Sequence, residues 1–145
     1  MFKTFIAASL FAATTLAMAQ ATPAGLWRTI DDETKQEKSQ VRISEATGVL
    51  TGKIEKITDA TKQDSVCDKC SDARKDKKIV GMTILEGVKK NPDEAYWDAG
   101  HILDPNNGKV YKVRMTPKDG GKSLDVRGYI GAPMLGRTQT WIRVE

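Results

Sequence analysis

The chain has 145 residues, 39% of them hydrophobic and 29% charged, with a formal net charge of +4 at pH 7. That length fits one domain, and the mild basic excess is mixed with acids along the chain, so no basic stripe of the kind nucleic acid requires is present. His101 is the only histidine, so no Ser-His-Asp triad and no multi-histidine metal site forms without it.

The first element is a leader. Lys3 supplies a positive start, Phe5 to Leu16 is apolar and alanine-rich, and Ala17-Met18-Ala19 is a small-x-small cleavage signature. The apolar run is too short to span a bilayer, and no other run approaches that length. Residues 1–19 therefore read as a signal peptide cleaved after Ala19, leaving residues 20–145 as a single exported domain of a bacterial envelope, periplasmic or secreted. All three Phe leave with the leader, so the domain keeps only Trp27, Trp97, Trp141, Tyr96, Tyr111 and Tyr129 as aromatics. Its core must come mainly from Val, Ile and Leu, and the β-branched members favour strands.

Turn signals recur every eight to twelve residues or so, the spacing of a sandwich or barrel. Gly25 to Ile30 reads as a first strand, ended by Asp31-Asp32. Ser39 to Glu45 alternates, Thr47-Gly48 turns, and Val49 to Ile57 puts Leu50, Gly52 and Ile54 on one face, which makes a hairpin. Thr58 to Lys78 is polar and breaks the pattern. Ile79 to Val88 is apolar and ambiguous between strand and short helix. Tyr96 to Leu103 is a strand, closed by the turn Asp104-Pro105-Asn106-Asn107-Gly108. Lys109 to Met115 aligns Tyr111, Val113 and Met115, and Ser123 to Ile130 aligns Leu124, Val126, Gly128 and Ile130. Arg137 to Val144 is the last strand. Seven or eight strands without a long helix predict an all-β, up-and-down antiparallel barrel, because closure removes exposed edges.

Cys67 and Cys70 sit in the polar break as C-x-x-C. A zinc site needs four ligands, and the chain offers two Cys and one distant His. A thioredoxin-type centre needs a helix N-terminus in a βαβ setting, whereas the segment after Cys70 is polar on every face. An oxidising compartment favours the plain reading, an intramolecular disulfide pinning a long loop. The serines at 39, 44, 65, 71 and 123 lack a nucleophile-elbow context. Gly120-Gly121 is a hairpin signal and not a phosphate loop, so no cofactor is expected.

Three stretches carry a family resemblance: PAGLWRT at 23–29, DAGHILDPNNGKVYKVRM at 98–115 and LDVRGYIGAPMLGRTQTWIRV at 124–144. The first resembles the G-x-W motif that opens lipocalin-like barrels. The other two are similar to a family of small secreted bacterial proteins known as a domain of unknown function. The resemblance implies a lipocalin-like barrel in the envelope with no assigned chemistry. It also implies that Trp27 closes one barrel end and that an Arg of the last strand, Arg137 or Arg143, packs over its ring, a stack worth about 1 kcal/mol or more when shielded from water.

A barrel of this size is either filled by side chains or holds one small ligand. Tyr111, Val113, Met115, Leu124, Val126 and Ile130 are the expected lining of a modest, partly polar cavity, with Trp97 and Met134 nearer its rim. Three function classes follow. One is a barrel that binds a small amphipathic molecule. The second is a structural or interaction module with an envelope protein as partner. The third is a thiol-disulfide protein using Cys67 and Cys70. The leader makes a direct prediction: protein purified from the native host begins at Gln20, and an intact mass that retains Met1 overturns export.

Overall fold

The computed structural model describes Leu10, Ala12 and residues 21–145. The expected cleavage site at Ala19 lies outside the described residues, as does nearly all of the leader. No helix among the described residues is long and apolar enough to cross a membrane.

The chain forms nine strands: β1 (Gly25–Ile30), β2 (Glu37–Ala46), β3 (Val49–Ile57), β4 (Thr83–Lys90), β5 (Trp97–Asp98), β6 (His101–Asp104), β7 (Lys109–Lys118), β8 (Ser123–Tyr129) and β9 (Arg137–Arg143). Every pairing between them is antiparallel. Apart from β5 and β6, which do not pair with each other, each strand pairs with its sequence neighbours, and β1 returns to β9 through Trp27 opposite Arg143. Both β5 and β6 lie between β4 and β7, so they are one stave broken in two. The result is a closed, up-and-down barrel of eight staves, as the turn spacing predicts.

The break between β5 and β6 has a local cause. Ala99 takes φ of 69°, which a side chain adopts reluctantly, and Gly100 follows it. A Cβ on Gly100 would overlap the Glu86 carbonyl and Val88 of the neighbouring stave, so only glycine lets the chain pass. The ambiguous stretch from Ile79 resolves into the strand β4. Its register against β3 shifts twice, so strict alternation is lost and the adjacent Ile84 and Leu85 are both buried.

Inward positions of successive strands build one continuous core that includes Trp27, Val41, Leu50, Leu85, Val88, Val113, Met115 and Leu124. This core fills the end of the barrel where β1 starts and β9 finishes. Trp27 is wholly buried there and donates its ring N–H to the Pro23 carbonyl at 2.8 Å. The guanidinium of Arg143 lies 4.2 Å from the centre of the Trp27 ring. Its nitrogens donate to the carbonyls of Gly121 at 2.5 Å and of Ala24 and Thr22 at 2.8 Å each. One side chain thus ties the entering segment, the β7–β8 turn and the last strand across the closed end. Arg137, the other candidate for this role, lies at the opposite end of β9 and bonds Asp32 instead.

Arg143→Lys keeps the charge but removes the planar fork. We expect it to cost about 2–4 kcal/mol, from lost charged hydrogen bonds and the lost stack. Urea unfolding followed by tryptophan fluorescence reads the change. Removing the disulfide by a Cys67→Ala, Cys70→Ala double substitution should cost less, about 2 kcal/mol or below for so short a ring.

Candidate functional site

The other barrel end is open. Four connections surround it: β1–β2, β3–β4, β6–β7 and β8–β9. Between them and the core lies a cavity of about 840 Å³, within the size range of small-molecule sites. Its floor and one wall are apolar, with Ile54, Ile84, Leu103, Val126 and Trp141. The other wall is polar and comes from the adjacent strands β2, β1 and β9 through Ser39, Thr29 and Gln139. Thr29 and Ser39 are direct cross-strand partners, and their hydroxyls are 2.8 Å apart. Gln139 accepts the Trp141 ring N–H at 3.0 Å.

Charge is confined to the rim, where it orders the connections. The Asp31 carboxylate accepts the backbone N–H groups of Thr34 at 2.7 Å and Glu33 at 3.0 Å, and the Thr34 amide is the main reason its pKa falls below the ordinary value. Asp59 caps the short turn Ala60–Lys62, and the Thr61 hydroxyl is the first cause of its lowered pKa. Arg137 reaches along the rim from β9 to the neighbouring β1–β2 connection, to Asp32 at 2.8 Å and Glu33 at 3.1 Å.

The long β3–β4 connection forms one side of this mouth. Cys67 and Cys70 are joined by a disulfide, and both are buried. No helix begins at Cys67, so the backbone supplies none of the dipole that activates a thioredoxin-type thiol. The disulfide turn rests on the β6–β7 turn: a Cβ on Gly108, whose φ is 74°, would overlap the Lys69 carbonyl. A second clamp holds the same loop. Arg74 grips the Asp72 carboxylate, with its closest contact at 2.6 Å, and donates to the Thr83 carbonyl at 3.0 Å. Among the described residues no three His, Cys, Asp or Glu side chains gather as a metal site. His101 is exposed on β6, paired with Lys112 and Glu86.

The expected lining residues separate along the barrel axis. Tyr111, Val126 and Ile130 lie on the cavity wall or rim. Val113, Met115 and Leu124 share their inward face but sit deeper, wholly buried in the core beneath the cavity. Trp97 lies at the closed end and not at the rim, because β5 starts directly after the closed-end β4–β5 connection and pairs Trp97 with Lys90 and Met115. Met134 is on the mouth side but points outward, 81% exposed, and does not line the cavity. The polar wall of Thr29, Ser39 and Gln139 escapes a reading that looks for apolar alternation. Its only signal is that these residues share inward parity with Trp27, Val41 and Trp141.

The sequence profile of DUF2147, described as an uncharacterized protein conserved in bacteria, matches residues 25–143. The chain belongs to the DUF2147 family. Among solved structures, protein HP1028 from the human pathogen Helicobacter pylori, which belongs to the lipocalin family, superposes with a TM-score of 0.73. Identity is 20%, over 86% of this chain and 84% of that one. At that identity the likeness shows the fold, and the fold is lipocalin-like. No functionally curated protein matches this DUF2147 chain.

The Asp72–Arg74 clamp gives a pH prediction. The Arg74 side chain, first among the causes, lowers the Asp72 carboxyl from 3.8 to about 2. A depressed carboxylate pKa stabilises the folded loop above pH 3.8, and that contribution is lost as pH falls through about 2. The carbon-13 shift of the Asp72 carboxyl should titrate with a midpoint of about 2. A midpoint at the ordinary value would mean that the clamp does not form in solution.

Proposed function

We propose that this DUF2147 protein is exported to the bacterial envelope, with its leader cleaved after Ala19, and there binds a small amphipathic molecule in the mouth-side cavity. The observation that carries the binding reading is the cavity of about 840 Å³ above a fully packed floor. A barrel that served only as a scaffold would gain stability by filling that space with side chains. The rim supports the same reading. Its connections are fixed by a disulfide, by two turn-forming aspartates and by the Arg137–Asp32 pair, so the entrance is preformed.

The leader pattern supports envelope placement, and a disulfide is at home in that oxidising compartment. A second reading, an interaction module, draws on one feature. The β8–β9 connection exposes Ile130, Met134 and Leu135 at 60%, 81% and 75% beside the mouth, and exposed apolar groups at one place favour a partner.

Val126 stands at the boundary of floor and cavity, so Val126→Trp should fill the cavity and leave the barrel folded. Native mass spectrometry of protein from its own host should show a co-purifying small molecule in the unsubstituted chain. The variant should lose it while keeping the same far-ultraviolet circular dichroism. Retention of the molecule by a folded variant overturns binding at this site.

A further inference from the structure

The two walls of the cavity differ in chemistry side to side rather than top to bottom. Ile84 on β4 and Leu103 on β6 lie across the barrel from Thr29, Ser39 and Gln139 on the contiguous strands β1, β2 and β9, and Ile54 on β3 and Val126 on β8 flank the polar wall on either side. The polar wall is neutral, and Asp31, Glu37 and Arg137 lie on the mouth side of it. From this arrangement we infer that the cavity selects a flat, uncharged ligand with an apolar body and oxygen acceptors along one edge. The inference rests on the binding reading above and narrows it to a chemical class.

The hydrogen-bond inventory sets the polarity of the edge. Thr29 and Ser39 share one hydrogen bond, so whichever hydroxyl donates, the proton of the other is left for a ligand. Gln139 uses its carbonyl oxygen for Trp141. Among the described residues its amide nitrogen has no hydrogen-bond partner, and the side chain lines the cavity. The wall therefore offers donors. Ether, ketone or hydroxyl oxygens satisfy them, and no buried charge is required.

Geometry excludes the head-to-tail alternative. The deeper half of the barrel is occupied by Trp27, Leu50, Val113, Met115 and Leu124, so a long chain has no depth to enter. A straight apolar chain would also lie against the polar wall and leave those donors unpaired and dehydrated, which is costly. A flat ring system turns one edge to the donors and both faces to the apolar surface.

Equilibrium dialysis of the purified protein against three probes tests this. The probes are 2,3-dimethoxynaphthalene, its near-isostere 2,3-diethylnaphthalene and the head-to-tail amphiphile dodecan-1-ol. The dimethoxy compound should bind at least about fivefold more tightly than either other probe, the worth of one net hydrogen bond. Two variants should reduce that preference below about twofold while the diethyl compound keeps its affinity. One is the Thr29→Val, Ser39→Ala pair, which removes both hydroxyls together and leaves neither unpaired. The other is Gln139→Glu, which keeps the acceptor for Trp141 and removes the donor. The ranking of probes on the unsubstituted protein decides the matter even if a variant fails to fold. Equal affinities, or a preference for dodecan-1-ol, overturn the inference and leave the binding cavity standing. If none of the three binds, the inference falls, while the binding reading is decided separately by the co-purifying molecule and the Val126→Trp variant.

Discussion

The stack of Arg143 on Trp27 is the contact on which the rest of the molecule depends. An eight-stave barrel leaves two open ends, and apolar side chains at an open end would face water. Trp27 fills one end, and Arg143 covers its outer face with a group that tolerates water on one side and an indole on the other. The three carbonyls held by the same guanidinium come from two segments far apart in sequence, Thr22 and Ala24 in one and Gly121 in the other. Closure of the sheet between β1 and β9 occurs at this very point, with Trp27 opposite Arg143. Sealing the end and joining the first strand to the last are therefore one event.

With one end sealed, inward side chains are sorted by depth. Near Trp27 they are large and apolar and fill the interior. Toward the mouth, small or polar residues replace them at the same parity: Thr29 follows Trp27 on β1, Ser39 precedes Val41 on β2, and Gly128 follows Val126 on β8. The cavity is the consequence of that change in side-chain volume along each stave. The mouth keeps its shape because its longest connection is anchored twice, by the disulfide turn seated on Gly108 and by Arg74 bound to Asp72 and Thr83. An unanchored connection of that length would sample many conformations and would have to be ordered by the ligand, at an entropic cost.

The barrel was legible in the sequence because alternation and turn chemistry are local. Val49 to Ile57 and the Asp104–Gly108 turn announce themselves through period-two patterning and turn residues. Depth was not legible, because parity says which face a residue takes and not how far along the barrel it lies. Tyr111, Val113 and Met115 share parity, yet the first lines the cavity and the other two are core. Arg137 and Arg143 share parity too, and only the register of β9 against β1 and β8 puts one at the mouth and the other on Trp27. Trp97 misled for a related reason: a stave broken at Ala99-Gly100 hides which end it starts from.

The polar wall raises a question of stability that bears on function. Thr29 is buried, Ser39 and Gln139 are partly buried, and all three face the interior of a barrel. Valine and leucine at those positions would extend the packed floor and add transfer free energy, about 1 kcal/mol or more per residue by area. The hydroxyl pair satisfies itself only in part, and the Gln139 amide only through its oxygen. Packing therefore gives no reason for this arrangement, and hydration of an empty cavity gives only a weak one, since water solvates any polar group placed there. What the arrangement does provide is a fixed row of donors opposite a fixed apolar surface, at the mouth where the interior opens to the outside. On the binding reading proposed above, that combination gives up stability for selectivity, the trade expected of a site rather than of a scaffold.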